Sequence, residues 1–111
     1  MGKSAHVTEV NDSTFEAEVL RADRPVLVEF GAAWCPPCRA LAPIVERVAA
    51  ESAGKLKVVV MDADESPEAA KRCGVRAVPT LVVFRDGEKR GQHVGLTTRE
   101  KVVELVGRAA G

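Results

Sequence analysis

Cys35 and Cys38 are the residues whose type and spacing could do covalent chemistry, and they stand in "AAWCPPCRA", residues 32–40 of a 111-residue chain. On a helix, residues three apart share a face with Cβ atoms about 5–6 Å apart, so a modest tightening of the first turn brings two thiols into disulfide range. Pro36 and Pro37 between them fix φ and lower the entropy of the unfolded chain, which keeps the sulfurs close in either redox state. Cys35 falls where a strand ends and a helix begins. The unpaired N–H groups and dipole of a helix start stabilise a thiolate there, so Cys35 is expected to be an accessible nucleophile. Cys38, one turn further in, should be more covered and keep its proton longer, as suits a resolving thiol. The competing reading of the pair is half of a zinc site, which needs two further thiolate or imidazole ligands. The remaining candidates, His6, Cys73 and His93, are scattered without ligand-like spacing, so no metal is expected. Trp34 alone would serve burial; beside Cys35 it becomes a candidate site residue.

Composition bounds what surrounds that pair. The length fits one domain, residues 1–111, with a single core. Sixteen Lys and Arg balance 16 Asp and Glu, so charge favours neither nucleic acid nor an anionic membrane as a partner. Three cysteines are an odd number and too few for a secreted disulfide framework. "MGKSAHVTEV" has no apolar run fit for a signal peptide, and no stretch approaches a bilayer-spanning length, so the expected compartment is cytoplasmic. Gly2 follows Met1, but His6 stands where a myristoylation signal needs Ser or Thr.

The elements that must position the cysteines follow from periodicity. "HVTEV" reads as a short strand, and "NDSTFEAEVLRA" as a helix with Ser13 and Glu16 in capping-box register. "RPVLVEFGA" is apolar on both faces, the pattern of a central strand. "CRALAPIVERVAAESAG" follows as a helix with a stripe of Leu41, Ile44, Val45 and Val48, an expected kink at Pro43 and a stop at Gly54. "KLKVVVMDA" is a strand, and "SPEAAKRCG" a short helix with Ser66 as N-cap and Pro67 at the first helical position. "TLVVFRDGEKRGQHV" reads as two strands joined at Asp86-Gly87. "TTREKVVELVGRAA" is a last helix, capped by Thr97 with Glu100 and burying Val102, Val103, Leu105 and Val106. The order β-α-β-α-β-α-β-β-α is an α/β fold. Right-handed crossovers make the first three strands parallel and the hairpin antiparallel, giving one mixed five-stranded sheet flanked by four helices.

"VEFGAAWCPPC", "MDADESP", "CGVRAVPT", "FRDGE" and "HVGLTTRE", in this order over essentially the whole chain, resemble the thioredoxin family. The resemblance implies the thioredoxin fold and a protein-disulfide reductase without a bound cofactor. Cys35 would attack a disulfide of a client protein, Cys38 would resolve the intermediate, and a thioredoxin reductase drawing on NADPH would re-reduce the Cys35–Cys38 disulfide. Pro79 matches the family's cis-proline beside the cysteines, although an X-Pro bond is cis in only about 5% of cases in folded proteins. Backbone before Pro79 would pair with an extended client segment. Trp34, Ala77, Val78, Pro79, Val94, Gly95 and Leu96 would form the uncharged contact surface of a monomer. Glu29 lies in an apolar strand; pattern alone allows a solvent-facing position or a buried acid with a raised pKa. The family places a buried acid here, which makes Glu29 the proton shuttle for Cys38, acting through water.

Two positions depart from the family pattern. Pro36 replaces the usual glycine and deletes a backbone donor near the Cys35 sulfur, which should destabilise the thiolate and make the protein more reducing. Pro37 disfavours a helical Pro36 and could shift the helix start. Val60 stands where many members carry a lysine near the buried acid, so desolvation should raise the pKa of Glu29 unopposed. Cys73 reads as a small buried hydrophobe, with dimerisation or oxidation as the alternative. Three classes remain open on residues alone: a dithiol reductant, a binding module of the same fold, and a metal-binding domain. The intact cysteine pair, Pro79 and Glu29 favour the first.

Overall fold

A computed structural model describes residues 4–110. Gly2, and with it the myristoylation reading, lies outside the described residues. Five strands form one sheet in the order β1-β3-β2-β4-β5: β1 (Thr8–Glu9), β2 (Val26–Gly31), β3 (Lys57–Asp62), β4 (Thr80–Arg85) and β5 (Glu88–Val94). β1 and β2 run parallel to β3, whereas β4 pairs antiparallel with both β2 and β5. The helices are a π-helical segment (Glu16–Leu20), α1 (Pro36–Glu51), α2 (Pro67–Arg72) and α3 (Arg99–Ala110). This is the mixed sheet with four helices expected from the alternation of patterns.

β2 is central and all six of its residues are buried, because its two faces serve two cores. Leu27 joins Leu41, Val45 and Val48 of α1, Val102 and Leu105 of α3, and Val58, Val60, Leu81 and Val83 of the sheet. Val26, Val28 and Phe30 face the other way, onto Phe15, Val19, Met61, Ala69 and Ala70. The two-residue turn at Asp86 (φ 54°) and Gly87 (φ 78°) has both residues left-handed, the geometry that an Asp-Gly pair favours between strands of right-handed twist. Gly91 of β5 is a close-approach glycine: a Cβ there would sit 3.0 Å from Ala109 Cβ and 3.2 Å from Leu105 Cδ1 of α3.

Several caps differ from expectation. No side chain caps Glu16–Leu20 itself; Asn11, not Ser13, caps the turn that leads into it, its Oδ1 accepting from the Ser13 and Thr14 N–H groups at 2.9 and 3.2 Å. Asn is at least as good an acceptor, and its earlier position reaches the first free donors. α1 starts at Pro36 with both prolines in its first turn, where their missing N–H groups cost nothing. It runs unbroken through Pro43 to Glu51. Ser66 precedes α2 but makes no side-chain cap. Asp12, 56 and 57 positions away, takes that role by accepting from the Glu68 and Ala69 N–H groups at 3.1 and 2.8 Å. Thr98, not Thr97, caps α3 through its Oγ1 and the Lys101 N–H at 3.2 Å. Val103 is 46% exposed, on the solvent side of α3. His6 is paired, its Nδ1 lying 2.9 Å from Glu46 Oε1.

Candidate active site

β2 ends at Gly31 and α1 begins at Pro36, so the end of the central strand and the helix start are joined by the four residues "AAWC". Cys35 is the N-cap of α1, with extended backbone (φ −94°, ψ 108°). Its sulfur occupies the place usually held by a capping oxygen and accepts the Cys38 N–H at 3.3 Å. Pro36 and Pro37 have no N–H to offer, so among the described residues Cys38 supplies the one backbone donor to this sulfur. The same donor would hold a thiolate in the reduced protein. Cys35 and Cys38 are joined by a disulfide, with Cα atoms 5.2 Å apart.

Cys38 lies on the stripe of α1 that carries Leu41, Val45 and Val48 onto the sheet and is fully buried. Cys35 is more enclosed than expected, at 2% exposed, because Ala32, Cys38 and Val78 pack around it. The Val78 carbonyl oxygen is 3.8 Å from its sulfur. Val78-Pro79 is cis. Two bonds hold this stretch: the Thr80 hydroxyl donates to Ala77 O at 2.7 Å, and the Gly95 N–H donates to Pro79 O at 2.8 Å. The second brings Val94, Gly95 and Leu96 alongside Pro79. Val94 (53%), Leu96 (52%) and Trp34 (67%) are three of the four large apolar side chains exposed among the described residues. Exposed apolar area gathered beside a reactive group is the usual mark of a contact surface.

Trp34 is fixed from a direction the sequence reading missed. Its indole N–H donates to Asp64 Oδ2 at 2.8 Å. Asp64 is in turn presented by Asp62, whose Oδ1 accepts from the Asp64 and Glu65 N–H groups at 2.8 and 3.1 Å. The D-x-D spacing after β3 was the available signal, since Asp side chains build such turns by binding backbone two residues on.

Glu29 is 2% exposed, and its Oε2 is buried without a hydrogen-bond partner, which decides against a solvent-facing position. Its cross-strand neighbours are Val60 and Leu81, both buried in the core beneath α1 and α3. With no cation directly across from it on either neighbouring strand, burial pushes the carboxyl from 4.5 up to about 7. Glu29 and Cys38 thus belong to the same layer between sheet and α1. Cys73 is buried, and burial raises its thiol from 9.0 to about 11. No group of three or more His, Cys, Asp or Glu able to hold a metal ion occurs among the described residues, and no helix there is long and apolar enough to cross a membrane.

Comparison with known proteins places this geometry. The family model described as Thioredoxin matches residues 6–108. The chain belongs to the thioredoxin family. It is 43% identical over 97 residues to a thioredoxin of Rickettsia bellii, covering 87% of this chain and 92% of that one. A thioredoxin of Pseudomonas aeruginosa is 41% identical over 103 residues, 93% of this chain and 95% of the other. Thioredoxin M4, chloroplastic, of Arabidopsis thaliana is 43% identical over 105 residues, 95% of this chain and 54% of that protein. Family and cysteine pair together make this a thiol-disulfide oxidoreductase with protein-disulfide reductase activity, whose partners are, in general, a reductase and disulfide-bearing clients.

Proposed function

We propose that residues 1–111 act as one domain and as a monomeric carrier of electron pairs, with Cys35 as nucleophile and Cys38 as resolving thiol. The observation that carries this reading is the sulfur of Cys35 at the cap of α1, accepting the Cys38 N–H and lying against the Val78 carbonyl. In the reduced protein the Cys35 thiolate attacks one sulfur of a client disulfide. A Cys35–client bond forms, the client S–S bond breaks, and the second client sulfur leaves as a thiolate. Cys38 gives up its proton and attacks the Cys35 sulfur, which forms Cys35–Cys38 and expels the first client sulfur. Two electrons have then passed to the client, whose two thiolates take up protons from solvent.

Glu29 is the acceptor of the Cys38 proton, acting through water. A carboxyl near 7 is poised to take and release a proton at neutral pH, and it lies in the layer that Cys38 enters. Pro36 and Pro37 hold the sulfurs together. The backbone before cis Pro79 pairs with the client chain, and Trp34, Ala77, Val78, Pro79, Val94, Gly95 and Leu96 make the contact. The cytoplasm, a reducing compartment, suits a dithiol donor, and NADPH through a thioredoxin reductase supplies the electrons. Insulin reduction with NADPH and a thioredoxin reductase tests the scheme: the native chain should turn over and Cys35→Ser should not. Turnover surviving that substitution would remove Cys35 from its role.

A further inference from the structure

Beside the cysteines lies an open groove of about 630 Å³ whose lining includes Trp34, Val75, Val78, Asp64, Lys71 and Arg76. Its floor is apolar, and its charges are unbalanced. Asp64, the one carboxylate in the lining, is engaged by the Trp34 indole. Lys71 and Arg76 are exposed, and neither has an ion-pair or side-chain hydrogen-bond partner among the described residues. Lys71 also borders a second depression that holds Glu68 and Asp12, so Arg76 is the cation that belongs to the groove alone. Val78 is common to the groove and the sulfur: it lines the one, and its carbonyl oxygen is 3.8 Å from the other. A client chain joined through its own sulfur to Cys35 and passing over Val78 enters this space.

We infer that the groove selects client segments carrying an acidic side chain close to the reactive half-cystine. The inference rests on the reading of Cys35 as nucleophile and adds the class of client. Arg76 is two residues before Val78, at most about 7 Å along the chain, which places the preferred carboxylate within about two residues of the client cysteine. The formal net charge of the chain is +0, so overall attraction cannot produce the preference. It must come from the groove, where two cations against one carboxylate leave a net positive charge that steers association and suppresses partners of the same sign.

The test uses peptides that are identical except for Asp or Lys two positions before, or two positions after, a single cysteine activated as a mixed disulfide with one common aromatic thiol. Reduced protein is mixed with each, and release of the aromatic thiol is followed together with the fluorescence of Trp34, the sole tryptophan. At low salt the Asp peptide should react about fivefold to tenfold faster than its Lys counterpart in at least one placement. The ratio should fall towards one at about 1 M salt. Arg76→Glu combined with Lys71→Glu should reverse it, and the corresponding Gln pair should bring it near one. A ratio below about twofold in both placements, or one that both variant pairs leave unchanged, overturns the inference while leaving Cys35 in its role. Discharge of both peptides by Cys35→Ser would instead overturn the reading of Cys35.

Discussion

Replacing Glu29 by Gln should change the pH dependence of stability in a way that isolates the buried carboxyl. The folded carboxyl is raised from 4.5 to about 7 by desolvation. Below about pH 4.5 it is neutral in both the folded and the unfolded chain, and it costs nothing. Between about 4.5 and 7 the unfolded chain releases this proton and the folded chain keeps it, so stability falls as pH rises. Above about 7 both states are ionised and the loss is complete. At about 1.4 kcal/mol per pH unit the full loss is roughly 3 kcal/mol. Gln cannot ionise, so the variant should lack this slope. Urea unfolding of the oxidised proteins would show the two chains within about 1 kcal/mol of each other near pH 4, any offset reflecting the buried amide. Near pH 9 the variant should be the more stable by up to about 3 kcal/mol, a midpoint shift of about 1 to 2 M urea. A difference between the chains that stays constant across this range would refute the account of Glu29 as a neutral buried acid.

Three further outcomes follow from local geometry. Pro36→Gly restores a backbone N–H near the Cys35 sulfur, so the native chain should have the more negative reduction potential, by about 10–30 mV in a glutathione redox titration; a native chain that is the stronger oxidant contradicts the donor argument. Asp12→Ala removes the acceptor for two N–H groups of α2 and should cost about 1–2 kcal/mol in thermal or urea unfolding, whereas Ser66→Ala, which removes no cap, should not reproduce that loss. Cys73, buried with its thiol raised to about 11, should resist iodoacetamide in the folded oxidised protein near pH 8 and react once unfolded; rapid labelling of the folded chain would favour the alternative of a reactive thiol.

What could be read from the sequence was what short-range periodicity and spacing encode. The two-faced apolar run of β2, the Asp86-Gly87 turn and the cysteine spacing each have a local physical cause, and each appears in the fold. Glu29 was ambiguous because a strand pattern does not say which face is covered; α1 and α3 decide it by closing over Val60 and Leu81. The cap of α2 was illegible for a different reason. Ser66 has the right type at the right position, but Asp12, brought in by the π-helical segment and β1, delivers a carboxylate to the same donors. Ser13 and Thr97 show that capping residues in clusters leave the start of a helix uncertain by a residue or two. The Trp34–Asp64 bond and the cations of the groove required the crossover from β3 through α2 to be placed in space, since residues 64, 71 and 76 meet Trp34 only through that path.

The central claim is that the Cys35 sulfur makes the first bond to the client. Its most direct test is capture of that bond: reduced Cys38→Ser, mixed with a disulfide-bearing client such as insulin, should accumulate a covalent adduct that mass spectrometry maps to Cys35 and that dithiothreitol releases. Cys35→Ser should accumulate none. An adduct that maps to Cys73, or one formed as readily through Cys38 in Cys35→Ser, would contradict the account.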